Sequence, residues 1–338
     1  MNLKNKIYYF SIWLTLFLIY FVSSFSWIFS FIIFTIFYSS LSYIFYFIYK
    51  KIRKQKLLNY KNFLIEFLKK ISLSFVILVI FVASFSYYNN ELYPAKLPQF
   101  TITNWKKIVV FQGMSHIWTK KFYEKIKNEI IKYKKKWFVY FYEWVKPSKD
   151  KKTWEDFNKA LWIKFDKDTY KYFSKLYWVT NQDNRIFLWL VNNKDFNVDL
   201  SLDEIMQEYE KINKNSKNKI QNKQKIIDIS QEVNKNLASL NPRELKILRY
   251  INRAFLNILL KNNNLQDLIM QNFTNKKLFK IILNKRNKNL AENIINSKYD
   301  KIFITYWLLH FDWVFKILKE NDSSWRIKDI KFFYPIKD

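Results

Sequence analysis

The chain has 338 residues, a formal net charge of +30, 50% hydrophobic residues, a single glycine and no cysteine. The missing cysteines exclude disulfides, thiolate metal sites and a cysteine nucleophile. The positive charge does not indicate a nucleic-acid binder, because the lysines are spread along the chain and form no binding module. Residues 7–49 contain no Asp, Glu, Lys or Arg. As one helix they would extend about 65 Å, twice a bilayer core. The run must therefore fold back, and Ser23-Ser24-Phe25-Ser26 is the break between spans 7–22 and 27–48. A cleavable signal peptide would have a shorter apolar core and a small-residue cleavage site. A third uncharged run predicts a span over 71–88. Residues 1–90 thus read as a membrane region of three transmembrane helices.

Between the second and third spans lie Lys50, Lys51, Arg53, Lys54, Lys56, Lys61, Lys69 and Lys70 against the single acid Glu66. The positive-inside rule puts this loop and the N-terminus in the cytoplasm, and three crossings put everything after residue 90 outside. The expectation is a multi-pass protein of the cell membrane with an extracytoplasmic C-terminal domain. The loop lysines are suited to anionic lipid.

Residues 91–104 carry Pro94 and Pro98 without helical period and read as a linker. In the domain that follows, 105–338, the pattern gives a strand over 107–112, a helix over 118–135 and a strand over 137–142. A helix is expected at Leu161–Tyr172. Phe187–Asn192 reads as a helical turn or short strand. Ser201 followed by Glu204 is a capping box opening a helix. Consecutive helices follow to about 297. A strand over 301–306, a helix over 312–320 and a strand over 327–334 close the chain. The fold class is α/β (α+β), with one strand–histidine–helix–strand unit near each end of the domain and a helical insertion between. By its short connection, strand 137–142 is expected beside strand 107–112.

The chain has two histidines, and both sit just past a predicted strand, where α/β folds collect ligands. His116 ends Gln112-Gly113-Met114-Ser115-His116, and His310 ends Trp307-Leu308-Leu309-His310. Glu143 follows strand 137–142 and is expected on the same rim. Two histidines and one carboxylate are a competent set for a divalent metal with open positions for water, and Glu143 can serve equally as general base.

An average chain of this length carries on the order of two dozen glycines; this one has 1, with 13 tryptophans. Trp137, Trp144, Trp178 and Trp313 stand where a turn or cap is expected. Some bacterial lineages read UGA as glycine and others as tryptophan. We read many of these tryptophans as glycines in another code, which makes Trp307-x-x-His310 a second Gly-x-x-His.

With that reading, the stretches VVFQGMSHIW (109–118), VYFYEWVKP (139–147), NKRNKNLAENI (284–294) and ITYWLLHFDWVFKIL (304–318) resemble the TraB/GumN pheromone-shutdown family, related to the Tiki metalloproteases. The resemblance covers residues 105–338. It implies a metal-dependent hydrolase, a peptidase on a peptide or protein substrate, with Mn, Co or Zn as the ion. His116, Glu143 and His310 would be ligands, and Glu143 and Arg286 the catalytic pair. Gly113, Gln112, Asn287, Tyr306 and Trp307 are further site candidates. The departure is Trp307 in place of glycine. A second class of function is a non-catalytic membrane protein that binds or sequesters a peptide or pheromone.

Overall fold

The computed structural model describes residues 3–337, except 24, 116, 162–163, 165–168, 183, 215–227, 263–264, 267 and 270–274. Three helices come first: α1 (Leu3–Val22), α2 (Phe25–Ile52) and α3 (Tyr60–Tyr87). All three are long and apolar enough to cross a membrane. Ser11, Thr15, Ser39, Ser72 and Ser86 are buried among them. Small hydroxyl residues let apolar helices approach closely, and Thr15 Oγ1 donates to the Ser72 carbonyl at 3.3 Å. Residues 238–251 cluster with these helices. Asn241 Nδ2 donates to the Ser23 carbonyl (2.9 Å) and Arg243 Nη1 to the Phe21 carbonyl (2.8 Å). They satisfy acceptors that the end of α1 leaves open.

The second unit comprises residues 89–237 and 252–338. Its elements in order are β1 (Leu97–Thr103), β2 (Ile108–Met114), β3 (Ile117–Trp118), α4 (Lys120–Lys134), β4 (Val139–Tyr142), α5 (Lys151–Leu161), α6 (Thr169–Tyr177), β5 (Thr180–Asn181), α7 (Asn184–Leu188), β6 (Phe196–Asn197), α8 (Leu202–Lys214) and α9 (Ile229–Ala238). There follow α10 (Pro242–Lys261), which begins among the residues of the first unit, α11 (Lys276–Asn296), β7 (Lys301–Trp307), a 3-10 turn at Leu308–His310, α12 (Phe311–Asn321) and β8 (Arg326–Phe333). A mixed six-stranded sheet runs β6-β4-β7-β2-β1-β8. β7 pairs parallel with both β2 and β4, whereas β1 is antiparallel to β2 and β8.

Two strand–helix–strand units are present, and they cross the sheet in opposite directions. β2–α4–β4 steps over β7, and β7–α12–β8 steps over β2 and β1. Right-handed crossovers in opposite directions put their helices on opposite faces, and the core divides accordingly. Val110, Tyr140 and Phe303 pack with Phe122, Ile126 and Ile130 of α4. Val109, Phe111, Ile302 and Ile304 pack with Leu290 and Ile294 of α11 and Val314 and Leu318 of α12.

Three expectations need correction. Strand β4 does not lie beside β2, because β7, from the far end of the chain, is inserted between them. Residues 97–103, within the expected linker, form β1 and pair on both sides. Between Leu161 and Tyr172, α5 ends at Leu161 and α6 begins at Thr169, and most of the interval lies outside the described residues.

Among the described residues, four other than glycine have positive φ: Lys54 (50°), Trp105 (72°), Trp137 (65°) and Trp178 (53°). Trp137 ends α4 in a Schellman motif. Phe138 N–H donates to the Tyr133 carbonyl (3.1 Å) and Trp137 N–H to the Lys134 carbonyl (3.0 Å). The Phe138 and Tyr133 rings supply the usual apolar contact across the motif, at 4.9 Å. Trp178 takes the same place after α6, with Val179 N–H on the Ser174 carbonyl at 3.0 Å. The left-handed residue of this motif is usually glycine. Trp313, expected at a cap, instead lies in the first turn of α12.

Candidate active site

β4, β7 and β2 run parallel, so their C-terminal ends share one rim. There Tyr142 faces Thr305 across the ladder, Gly113 pairs with Tyr306, and Met114 with Trp307. Glu143 is the first residue past β4, held by its N–H on the Thr305 carbonyl at 3.2 Å. α11 brings Arg286 and Asn287 to the rim, both buried. The chain after β6 adds Asp199, also buried.

Arg286 joins the two acids. Its Nε and Nη2 donate to Asp199 Oδ1 and Oδ2 at 2.7 and 2.9 Å, and Nη2 also donates to Glu143 Oε1. Such bidentate, charge-assisted bonds are strong and geometrically specific. The other oxygen of Glu143 accepts the Trp307 N–H at 2.5 Å. Tyr306 donates its hydroxyl to Asp199 Oδ1 at 3.0 Å, and its ring lies 5.3 Å from the guanidinium carbon. One guanidinium thus faces two carboxylates. Burial pushes the Glu143 carboxyl above its usual range; Arg286 opposes that shift and Asp199 adds to it. Burial thus makes the Glu143 carboxyl hold a proton more readily than a solvated one. Its side chain is 12% exposed and lines a cavity of about 20 Å³ with Tyr140, Tyr142 and Thr305, room for one water. Tyr140 and Thr305 bond each other there at 2.7 Å.

His310 is fully buried at the end of the 3-10 turn after β7. Its Nδ1 lies 2.5 Å from Asn287 Oδ1. An amide oxygen can only accept, so Nδ1 carries the proton and Nε2 is a bare lone pair. That Nε2 has no hydrogen-bond partner among the described residues. Burial, with the nearby Arg286 charge, holds its pKa well below the usual histidine value. The Tyr306 and Trp307 rings stand edge-on to it at 4.8 and 5.8 Å.

The structure therefore brings together Glu143, Arg286, Asn287, Tyr306, Trp307 and His310. His116 lies outside the described residues. Gln112 stands apart from the network, its amide tied to Gln99 Nε2 (3.0 Å) and the Gly113 carbonyl (2.9 Å). Gly113 is there for close packing rather than for φ. A Cβ would stand 2.8 Å from Leu308 Cδ1, so the glycine makes room for the turn that carries His310. Asp199 was not anticipated. The signal for it was an acid directly after an apolar strand run and two residues before the Ser201–Glu204 capping box. That box itself forms, with Ser201 N–H on Glu204 Oε2 at 2.7 Å and Glu204 N–H on Ser201 Oγ at 3.2 Å.

No family model, curated protein or solved structure matches the chain in comparison. Among the described residues, no three His, Asp or Glu side chains are grouped to hold a metal. His310 Nε2 is an open nitrogen donor, but a guanidinium and a backbone N–H occupy the oxygens of Glu143. The described residues do not fit an ion as they stand.

Proposed function

We propose that the chain is a membrane-anchored hydrolase whose reacting groups are Glu143 and His310, with peptides as the substrate class that the TraB/GumN resemblance implies. One observation carries the reading: a fully buried, neutral imidazole is oriented through Nδ1 by Asn287, and its Nε2 has no partner among the described residues. Buried polar atoms are nearly always satisfied, and an oriented imidazole with one bare nitrogen is the arrangement of a base or a ligand. Glu143, its carboxyl pushed above the usual range by burial beside a water-sized cavity, supplies the acid–base partner. The test is hydrolysis of a peptide library by the full chain in detergent, with chelator and with Mn, Co or Zn in separate arms. Turnover lost in Glu143→Gln and His310→Ala supports the reading. Equal turnover by wild type and both variants in every arm overturns it.

One feature favours the second class, a non-catalytic binder of a peptide or pheromone. Both Glu143 oxygens and both Asp199 oxygens are engaged, and the adjoining cavity admits only a water. Peptide retained intact by the wild-type chain would decide for it.

The lysine placement supports an inside N-terminus and an extracytoplasmic domain. The bonds of Asn241 and Arg243 to Phe21 and Ser23 support the same topology. With three full crossings, the α1–α2 turn and the chain after α3 emerge on one side, where these residues meet. A C-terminal reporter active only in the cytoplasm should stay silent.

We also propose that Trp105, Trp137 and Trp178 are glycine positions in the code of the source, and that Trp307 is a fourth. The first three account for all the positive-φ residues described except Lys54. Trp118 and Trp325, by contrast, are 1% and 2% exposed within the core. UGA at 105, 137 and 178 with UGG at 118 and 325 is the expected pattern. UGG at 137 and 178 overturns it.

A further inference from the structure

A second cavity in the sheet-containing unit, a cleft of about 360 Å³, is independent of the Glu143 chemistry. Its volume falls within the range of small-molecule sites, about 300–1,000 Å³. Its apolar wall includes Phe100 and Phe311, stacked at 3.6 Å and nearly parallel, with Leu260 and Leu308. Its charged lining is Lys96, Lys261 and a single acid, Asp312.

The wall is built from buried, directional bonds. Asn257, fully buried on α10, accepts the Ala95 N–H at 2.7 Å and donates to Asn90 Oδ1 at 3.0 Å, fixing the segment that carries Tyr93, Pro94 and Lys96. Lys261 Nζ donates to Asn89 Oδ1 at 3.1 Å and to the Tyr93 carbonyl, and lies 4.4 Å from the Tyr93 ring. Its partial burial lowers its pKa. Among the described residues neither Lys96 nor Lys261 has a carboxylate partner, so the cleft holds two ammonium groups beside an aromatic floor. Tyr93 follows the end of α3 by six residues, and that much chain reaches on the order of 20 Å. The wall of the cleft is thus joined to a membrane-spanning helix by a short piece of chain.

We propose that this cleft binds the headgroup end of an anionic membrane lipid, with the phosphate at Lys96 and Lys261 and the first methylenes against Phe100, Phe311 and Leu308. Paired lysines recognise anionic lipid headgroups in this way. The cleft is too small for a complete two-chain lipid, so only the headgroup end enters.

The experiment uses the full chain in nanodiscs of equal phosphatidylglycerol and phosphatidylcholine, released into native mass spectrometry. Wild type should retain phosphatidylglycerol in preference. Lys96→Glu, which leaves every bond of Lys261 in place, should lower that preference roughly fivefold or more, as should Lys261→Gln, at about 1 kcal/mol per lysine near the surface. Octyl phosphate should compete for the site, and inorganic phosphate at the same concentration should not. Equal retention of the two lipids by wild type overturns the proposal, as does an unchanged preference in both variants. Equal competition by inorganic phosphate assigns a free-phosphate site and overturns the lipid assignment.

Discussion

The rim where β4 and β7 end and the turns that close α4 and α6 use their large polar and aromatic groups in opposite ways. At the rim, Arg286, Asp199, Tyr306 and Asn287 are buried and each is tied to a named partner. Side chain and backbone there agree on one arrangement. At the turns, Trp137 and Trp178 sit at left-handed positions, Trp137 83% exposed and Trp178 about half exposed. The backbone there is organised for a residue without a Cβ, and the residue present is the bulkiest of all. Local conflicts of this kind mark a sequence that disagrees with its own fold. The agreement at the rim and the conflict at the turns make opposite predictions for substitution.

The largest effect is expected at the rim. Arg286→Ala leaves two buried carboxylates without their counter-charge, and removing one partner of a buried ion network costs about 3–5 kcal/mol. Denaturant unfolding of the detergent-solubilised chain should show a loss of that order. Asp199→Asn removes the bidentate partner and leaves one guanidinium with one carboxylate, so its loss should be smaller. Glu143→Gln should be the mildest of the three, since the cluster carries one carboxylate more than guanidinium and burial already pushes the Glu143 carboxyl upward. If Glu143→Gln proves the most damaging, the charge assignment within the cluster is wrong.

The candidate site was partly legible in the sequence because its residues lie at strand ends. Glu143, Tyr306 and His310 lie at or just past apolar runs of plain β character, and Arg286 stands within an apolar helix face. The three membrane helices were legible from their missing charges. Less visible were the features that depend on distant chain. β7 enters between β2 and β4 from the far end of the sequence, and no local spacing encodes that insertion. β1 was hidden because Pro94 and Pro98 read as a linker, whereas the strand between Leu97 and Thr103 is specified by its two neighbours rather than by its own pattern. Asp199 was hidden for the same reason: its role exists only once Arg286 arrives from α11.

A smaller effect should appear with pH. His310 is held neutral in the fold, its pKa depressed by burial and by Arg286. The unfolded chain takes up that proton near pH 6.5, while the folded chain does so only further down. The contribution is therefore complete above about pH 6.5 and is lost as pH falls through the depressed folded value. Wild-type melting temperature should decline over that acid range, and His310→Gln should flatten part of the decline. Parallel slopes in the two proteins would show that the imidazole does not remain neutral in the fold.

The smallest expected effects, at Trp137 and Trp178, are the most discriminating, because tryptophans of the core should respond with the opposite sign. Placing a residue with a Cβ in the left-handed region costs roughly 1–2 kcal/mol, and glycine there removes the strain. Glycine also loosens the unfolded chain, which offsets part of the gain. Trp137→Gly and Trp178→Gly should therefore stabilise by up to about 1 kcal/mol each, since neither ring is buried and little packing is lost. Lys54→Gly, at a φ of 50° after α2, provides the same backbone change at a position with no tryptophan and should shift stability in the same direction. Trp118→Gly and Trp325→Gly should instead destabilise by at least about 3–5 kcal/mol, the penalty for emptying a large aromatic site in the core. A rise in melting temperature at 137 and 178 with a steep fall at 118 and 325 would separate positions where the fold requires tryptophan from positions where it requires glycine. A fall at all four would mean that the exposed rings contribute to stability and that the left-handed tryptophans belong to this chain.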